Sequence, residues 1–143
     1  ARKQVSYGMS MCDILKISDN EIEWYTGEKD YTKAVEKILK NYQIPLILVS
    51  MGKQGSRAYY KDLRVEVPGF VQEHTIETTG AGDTFCANSL NYILEHGMEE
   101  LTEENLKELL TFANAAASLI TTRKGALRVM PTREEIKNFI QNV

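Results

Sequence analysis

Leu46-Ile47-Leu48-Val49-Ser50 is the stretch that most limits what this chain can become. A strand that alternates apolar and polar residues can leave one face in water. An unbroken apolar run cannot, so this strand needs cover on both faces and reads as a central parallel strand. Ahead of it, Asp30 to Tyr42 sets Ala34, Val35, Ile38 and Leu39 on one face and lysines on the other, which predicts a covering helix that Ile44-Pro45 ends. Asp13 to Ile17 is an earlier, shorter strand. Helix followed by buried strand, repeated, implies βαβ units with right-handed crossovers.

The remaining elements follow from the same periodicities. Val5, Met9 and Cys12 predict a helix over Arg2 to Met11. Ser18-Asp19-Asn20-Glu21 opens a helix that ends at Gly27, and Ser-x-x-Glu is a capping box. Arg57 to Lys61 and Leu63 to Val67 alternate around a Lys61-Asp62 turn, an antiparallel hairpin at one sheet edge. Val71 to Thr78 reads as a β-type run returning from Pro68-Gly69. Asp83 to Glu95 is predicted as a helix packing through Phe85, Ala87, Leu90 and Leu94, closed by Gly97. Thr102 to Thr122 carries a long helical stripe. Thr132-Arg133-Glu134-Glu135 caps a last helix docked by Ile136, Phe139 and Ile140.

Charge and composition narrow the partners. A net charge of −3 argues against nucleic acid or an anionic membrane surface. No apolar run approaches spanning length, and no apolar core follows Arg2 and Lys3, so neither a membrane segment nor a signal peptide is expected. Cys12 and Cys86 lack metal-ligand spacing, and two reduced thiols in a cytoplasmic protein is the expectation. His96 before Gly97 suits a helix C-terminus. The chain starts at Ala1 and runs straight into a helical pattern, which suggests a piece of something longer.

Chemistry concentrates in Thr78-Thr79-Gly80-Ala81-Gly82-Asp83-Thr84-Phe85. Small residues at a strand-to-helix turn let a ligand approach the backbone, and the first amides of the helix form an anion pocket. A carboxylate at that mouth makes sense if it takes a proton from a hydroxyl attacking a bound phosphate. The plainer reading is a tight βα turn with an Asp favouring the helix dipole. A dinucleotide fingerprint needs a third glycine where Phe85 stands, and Gly52-Lys53-Gln54-Gly55-Ser56 has the wrong order for a P-loop.

Those residues resemble the C-terminal signature of the ribokinase-like (PfkB) carbohydrate kinases, and the resemblance extends along most of the chain. It implies a three-layer α/β/α ribokinase-like fold, here its C-terminal portion, with a mainly parallel sheet and an antiparallel edge hairpin. The N-terminal sugar-binding half and the small β lid, often a dimer interface, would lie outside the chain. The implied activity is transfer of the ATP γ-phosphoryl group to a sugar hydroxyl, with Mg²⁺ and a monovalent cation, K⁺, as helpers. Asp83 would be the base, and Gly80, Ala81 and Gly82 the anion hole with the N–H groups of Ala81, Gly82 and Asp83. The segment Ile14-Leu15-Lys16-Ile17-Ser18-Asp19-Asn20-Glu21 looks like fructokinases of that family. Ser18 stands where the family has Asn near the nucleotide phosphates, and Glu21 where a Glu organises Mg²⁺ through water. Glu21 thus has two candidate roles, cap and metal.

Further carry-overs involve three loops. Ser50-Met51-Gly52-Lys53-Gln54-Gly55 resembles the loop along the ATP phosphates and ribose, and it follows the carboxyl end of a parallel strand, where open α/β sheets bind ligands. Asn114, polar within an apolar stripe, is either a satisfied amide or a nucleotide contact as in the family. Thr122-Arg123-Lys124-Gly125-Ala126 resembles the segment that closes around adenine. Carbonyls of Ile120, Arg123 and Gly125, with Glu77 and Thr79, would hold the monovalent cation, although Glu77 replaces the family's Asp. Other readings are a ribokinase or 2-keto-3-deoxygluconate kinase, a nucleotide-binding module without catalysis, or a dinucleotide domain.

Overall fold

The structure is a computed structural model and describes residues 1–125 and 129–143. Ala126, the last residue of the adenine-side segment, lies outside the described residues. The β2 strand (Leu46–Ser50) is buried along its length: Leu46 and Leu48 face one helical layer, while Ile47 and Val49 face another. Burying each such side chain is worth roughly 1.5–3 kcal/mol, so one strand ties two cores together.

Around β2 the described strands form one sheet in the order β1-β2-β3-β4. The β1 strand (Ile14–Ser18) runs parallel to β2, with Ser18 opposite Ser50. The hairpin β3 (Ser56–Tyr60) and β4 (Leu63–Val67) continues the sheet antiparallel, turning through Lys61 in a left-handed conformation. On one face lie α1 (Arg2–Met9), α2 (Asp19–Thr26) and α3 (Tyr31–Asn41), with Ile22, Val35 and Ile38 against Ile47 and Val49. On the other lie α4 (Ala81–His96) and α5 (Glu103–Ile120), which bring Phe85, Leu106 and Leu110 against Leu46 and Leu48. A last helix, α6 (Arg133–Gln141), docks Ile136 on Ala115 and Ala116 of α5. The expected three-layer α/β architecture is present.

Three local expectations need correction. The run 71–78 forms no strand; Val71 and Ile76 are 79% and 65% exposed, and the Ile76 and Glu77 amides both donate to the Thr121 carbonyl at the end of α5. With no neighbouring strand to pair with, an alternating pattern has nothing to make it extended. The α4 helix starts at Ala81 and is rotated from the expected phase: Thr84, Phe85, Ser89, Tyr92 and Ile93 are buried, while Ala87, Leu90 and Leu94 are exposed. Burying Ser89 costs little because its hydroxyl donates to the Phe85 carbonyl, and Tyr92 carries its hydroxyl out to Glu108. Leu39 of α3 is likewise exposed rather than part of the packed face. Among the described residues no helix is long and apolar enough to cross a membrane.

The rotated phase of α4 can be checked on adjacent residues by urea denaturation of the chain. Ile93→Ala is expected to cost about 2–4 kcal/mol, as a truncation inside a packed core. Leu94→Ala should change stability by less than about 0.5 kcal/mol. The reverse order would show that α4 packs through its leucine stripe.

Candidate active site

The carboxyl ends of β1 and β2 lie side by side, and each releases the chain into a polar turn. Ser18 at the end of β1 caps α2: its hydroxyl accepts from the Glu21 amide at 3.3 Å, and the Glu21 carboxylate accepts from the Ser18 amide at 2.8 Å. The Ser18 N–H, first among the causes, holds the Glu21 carboxyl below its ordinary value, and the Lys16 charge adds to this. The capping role of Glu21 is therefore formed. It uses one carboxylate oxygen, Oε2, and leaves Oε1 without a hydrogen-bond partner among the described residues. That fits a metal reached through water and phosphate oxygens, the way Mg²⁺ is commonly held.

Ser50 at the end of β2 opens into a single 3₁₀ turn, Gly52–Gln54. Gly55 follows with φ 106° and lies so close to the hairpin exit that a Cβ would stand 2.1 Å from the Val67 carbonyl oxygen. Only glycine permits that approach. Asn114 of α5 secures the same corner. Its Oδ1 accepts from the buried Ser56 hydroxyl at 2.7 Å, and its amide donates to the Val67 and Pro68 carbonyls at 3.2 and 3.3 Å. Asn114 is 6% exposed and its polar atoms are satisfied within the fold, while the residue still borders open space beside this corner.

Across from this corner, Gly80 adopts the left-handed conformation at φ 82° and starts α4 without any side-chain cap. The Ala81 amide is already committed, donating to the Thr78 carbonyl at 3.2 Å. Of the three amides expected at an anion hole, those of Gly82 and Asp83 have no protein acceptor among the described residues. Asp83 follows directly and is exposed. Thr84 is fully buried with its hydroxyl unpartnered.

A cleft of about 220 Å³ joins these parts. Ser50, Gly52, Lys53, Gly55, Gly82 and Asn114, all expected at a nucleotide, line it together with Ala81. Gly69, Phe70, Gln72, Thr75, Thr78, Phe85, Ala117, Ser118 and Thr121 line it as well, and sequence reasoning found none of these as site residues. Thr78 and Phe85 bound the signature motif without having been singled out, and the others come from the irregular run after the hairpin and the far end of α5, places with no local motif. Ser18, Glu21, Gly80 and Asp83 flank the cleft in sequence without lining it.

The residues proposed for a monovalent cation gather only in part. The Gly125 amide donates to the Glu77 carboxylate at 3.2 Å, and the Thr79 hydroxyl, the larger cause, together with that amide holds the Glu77 carboxyl below its ordinary value. The Ile120 carbonyl accepts from the Arg123 amide, and the Arg123 guanidinium reaches the Val129 carbonyl and Glu135. The Glu77 carboxylate and the Thr79 hydroxyl thus lie together, oxygen chemistry of the kind a hard cation takes, whereas Gly125 meets them through its N–H.

The chain is similar to known proteins along nearly all of its length. The family model described as pfkB family carbohydrate kinase matches residues 1–133. A protein of Arabidopsis thaliana named "Probable fructokinase-2" is 38% identical over 141 residues, covering 99% of this chain and 43% of its own length. Fructokinase-1 of Zea mays is 35% identical with the same two coverages. The crystal structure of fructokinase from Vibrio cholerae O395, with fructose, ADP and calcium ion, superposes with a TM-score of 0.85 at 25% identity, covering 97% of this chain and 44% of that one. The Arabidopsis thaliana ribokinase complexed with ribose and ATP gives 0.80 at 29% identity, over 95% of this chain and 43% of that one. The fold is ribokinase-like, and the chain spans less than half the length of these proteins.

The bracing role of Asn114 has a direct consequence. Asn114→Ala removes three hydrogen bonds and orphans a buried hydroxyl, so urea denaturation should show a loss of about 3 kcal/mol. A loss below about 1 kcal/mol would mean that the amide does not hold the corner.

Proposed function

This chain belongs to the pfkB family of carbohydrate kinases, and from that premise we propose that it is the nucleotide-side portion of a longer ATP-dependent sugar kinase, fructokinase-like in its acceptor. The observation that carries the reading is the start of α4. Two amides without protein acceptors, Gly82 and Asp83, stand at the positive end of a 16-residue helix beside a glycine-lined cleft, and Asp83 also carries an exposed carboxylate. Such an end attracts anions, and a carboxylate placed there needs a purpose beyond anion binding.

In the proposed reaction ATP enters the cleft with its phosphates along Ser50, Gly52, Lys53 and Gly55, and its γ-phosphate reaches the start of α4. Asp83 takes the proton from a sugar hydroxyl as the hydroxyl oxygen attacks phosphorus, and ADP leaves. The Gly82 and Asp83 amides donate to the phosphoryl oxygens as charge shifts among them, which is stabilisation fixed in place before the reaction. Magnesium, when bound, neutralises phosphate charge, and the free oxygen of Glu21 would hold it through water. Glu77, Thr79 and Gly125 would hold a monovalent cation. The names of the relatives support fructose as the acceptor over ribose or 2-keto-3-deoxygluconate. A dinucleotide site is disfavoured because the third-glycine position holds Phe85, 2% exposed and packed into the core. Free Cys12 and Cys86 support the expected cytoplasmic setting.

The test uses the full-length protein that carries this chain, assayed with ATP against a panel of sugars. Fructose phosphorylation is expected. Asp83→Asn should keep ATP affinity within about threefold while turnover falls about 10²–10⁴-fold, the usual contribution of a general base. Turnover near that of the wild type would refute Asp83 as base, and ATP binding without any sugar kinase activity would leave a non-catalytic nucleotide module.

A further inference from the structure

Lys16 is out of character for its strand. It interrupts the apolar run Ile14-Leu15-Lys16-Ile17, and its cross-strand partner is the buried Leu48. Alternation places its side chain on the same face as Ile14, which packs into the core shared with α4 and α5. The half-buried side chain runs along that face to the first turn of α4. A Cβ built on Gly82 would stand 3.3 Å from the Lys16 ammonium nitrogen.

That places a positive charge against the positive end of a helix, where cations are normally disfavoured and carboxylates preferred. Among the described residues no carboxylate lies within 4.0 Å of the Lys16 nitrogen, and it makes no hydrogen bond. Glu21 senses the lysine only as a nearby charge. The Gly82 backbone is not left-handed, so its conformation does not call for glycine. The one neighbour a Cβ there would crowd is the ammonium. An unpaired ammonium thus stands at Gly82, in a turn with two unpaired amides and a helix terminus of the same sign, and an anion held there would answer all of them.

We propose that Lys16 contacts the phosphoryl group in flight, gripping the γ-phosphate between its ammonium and the Gly82 and Asp83 amides. This deepens the kinase reading and rests on it for the identity of the anion. Lysine suits the task as a compact point charge that follows the phosphoryl group as it moves from ADP to the acceptor. The bonds made and broken are those of the transfer itself.

The experiment uses the full-length protein carrying Lys16→Met, which keeps the aliphatic stem, and Lys16→Arg, which keeps the charge. Turnover with ATP and the accepted sugar is measured, along with ATP and AMP affinities by calorimetry. Lys16→Met should lower turnover about 10²–10³-fold, as loss of one preorganised donor does. It should weaken ATP binding about tenfold and leave AMP binding unchanged, with Lys16→Arg recovering part of both losses. Turnover within threefold of the wild type with an unaltered preference for ATP over AMP would overturn the proposal. Equal loss of ATP and AMP affinity would also overturn it, by showing a structural role. If the wild-type protein phosphorylates no sugar, the kinase reading fails, while the change in ATP-over-AMP preference still decides whether Lys16 meets the terminal phosphate.

Discussion

Everything in this molecule is referred to a strand that has no free face. Because β2 buries Leu46 and Leu48 on one side and Ile47 and Val49 on the other, neither helical layer can shift without disturbing the other through the same backbone. Packing at interior density makes such a strand a rigid datum. Its parallel register with β1 then sets Ser18 beside Ser50, so two turns with different tasks start from one line. One turns into a capped helix that aims Glu21, and the other into the 3₁₀ turn that lines the cleft. The β3 strand extends the line, since Ser50 also faces Ser56, whose hydroxyl is held by α5.

The cleft is framed by a polar brace rather than by apolar packing. Asn114 sits in a helix whose neighbours are alanines, and it ties β3 to the hairpin exit through three hydrogen bonds. A buried amide left unsatisfied costs about 1–3 kcal/mol, so the network favours a single arrangement of its partners. An apolar side chain there could slide; this one cannot. Gly55 and the hairpin exit come into backbone contact only because that brace and the absence of a Cβ act together. The wall a nucleotide would meet is thus held in shape by hydrogen bonds made within the fold.

What the sequence made legible follows the range over which each signal acts. Caps are local: Ser18 with Glu21 and Thr132 with Glu135 form the boxes their spacing announces. The unbroken apolar run of β2 and the alternation of the hairpin also read correctly, since each pattern is self-contained. The α4 helix misled because its buried face carries Ser89 and Tyr92, whose hydroxyls find partners that no periodicity reveals, while its leucines face outward. The 71–78 run misled because strand character needs a neighbour to pair with. Asn114 was legible as an anomaly, yet its purpose depends on residues 46 to 58 positions away in sequence. Lys16 carried a readable signal, a charge inside an apolar strand, but its direction became visible only once α4 was in place.

The structure also divides its polar residues between two kinds of work. Ser18, Ser56 and Asn114 spend their hydrogen-bonding capacity on the fold, and the Ala81 amide spends its own on Thr78. The Gly82 and Asp83 amides, the Asp83 carboxylate and the Lys16 ammonium spend none of theirs, though they stand on the same short elements. Unspent donors at a helix start are a standing cost that packing elsewhere has to offset. Local stability and ligand chemistry compete for the same groups, so a group left idle at the mouth of a cleft points to a ligand more directly than any motif does. That criterion supports the proposed anion at the first turn of α4, where Asp83 is the one acidic side chain. Dipole complementarity accounts for an acid in the first turn, but not for an idle ammonium beside it. The proposed passage of an acceptor proton to that acid, with the anion gripped from the other side, would account for both.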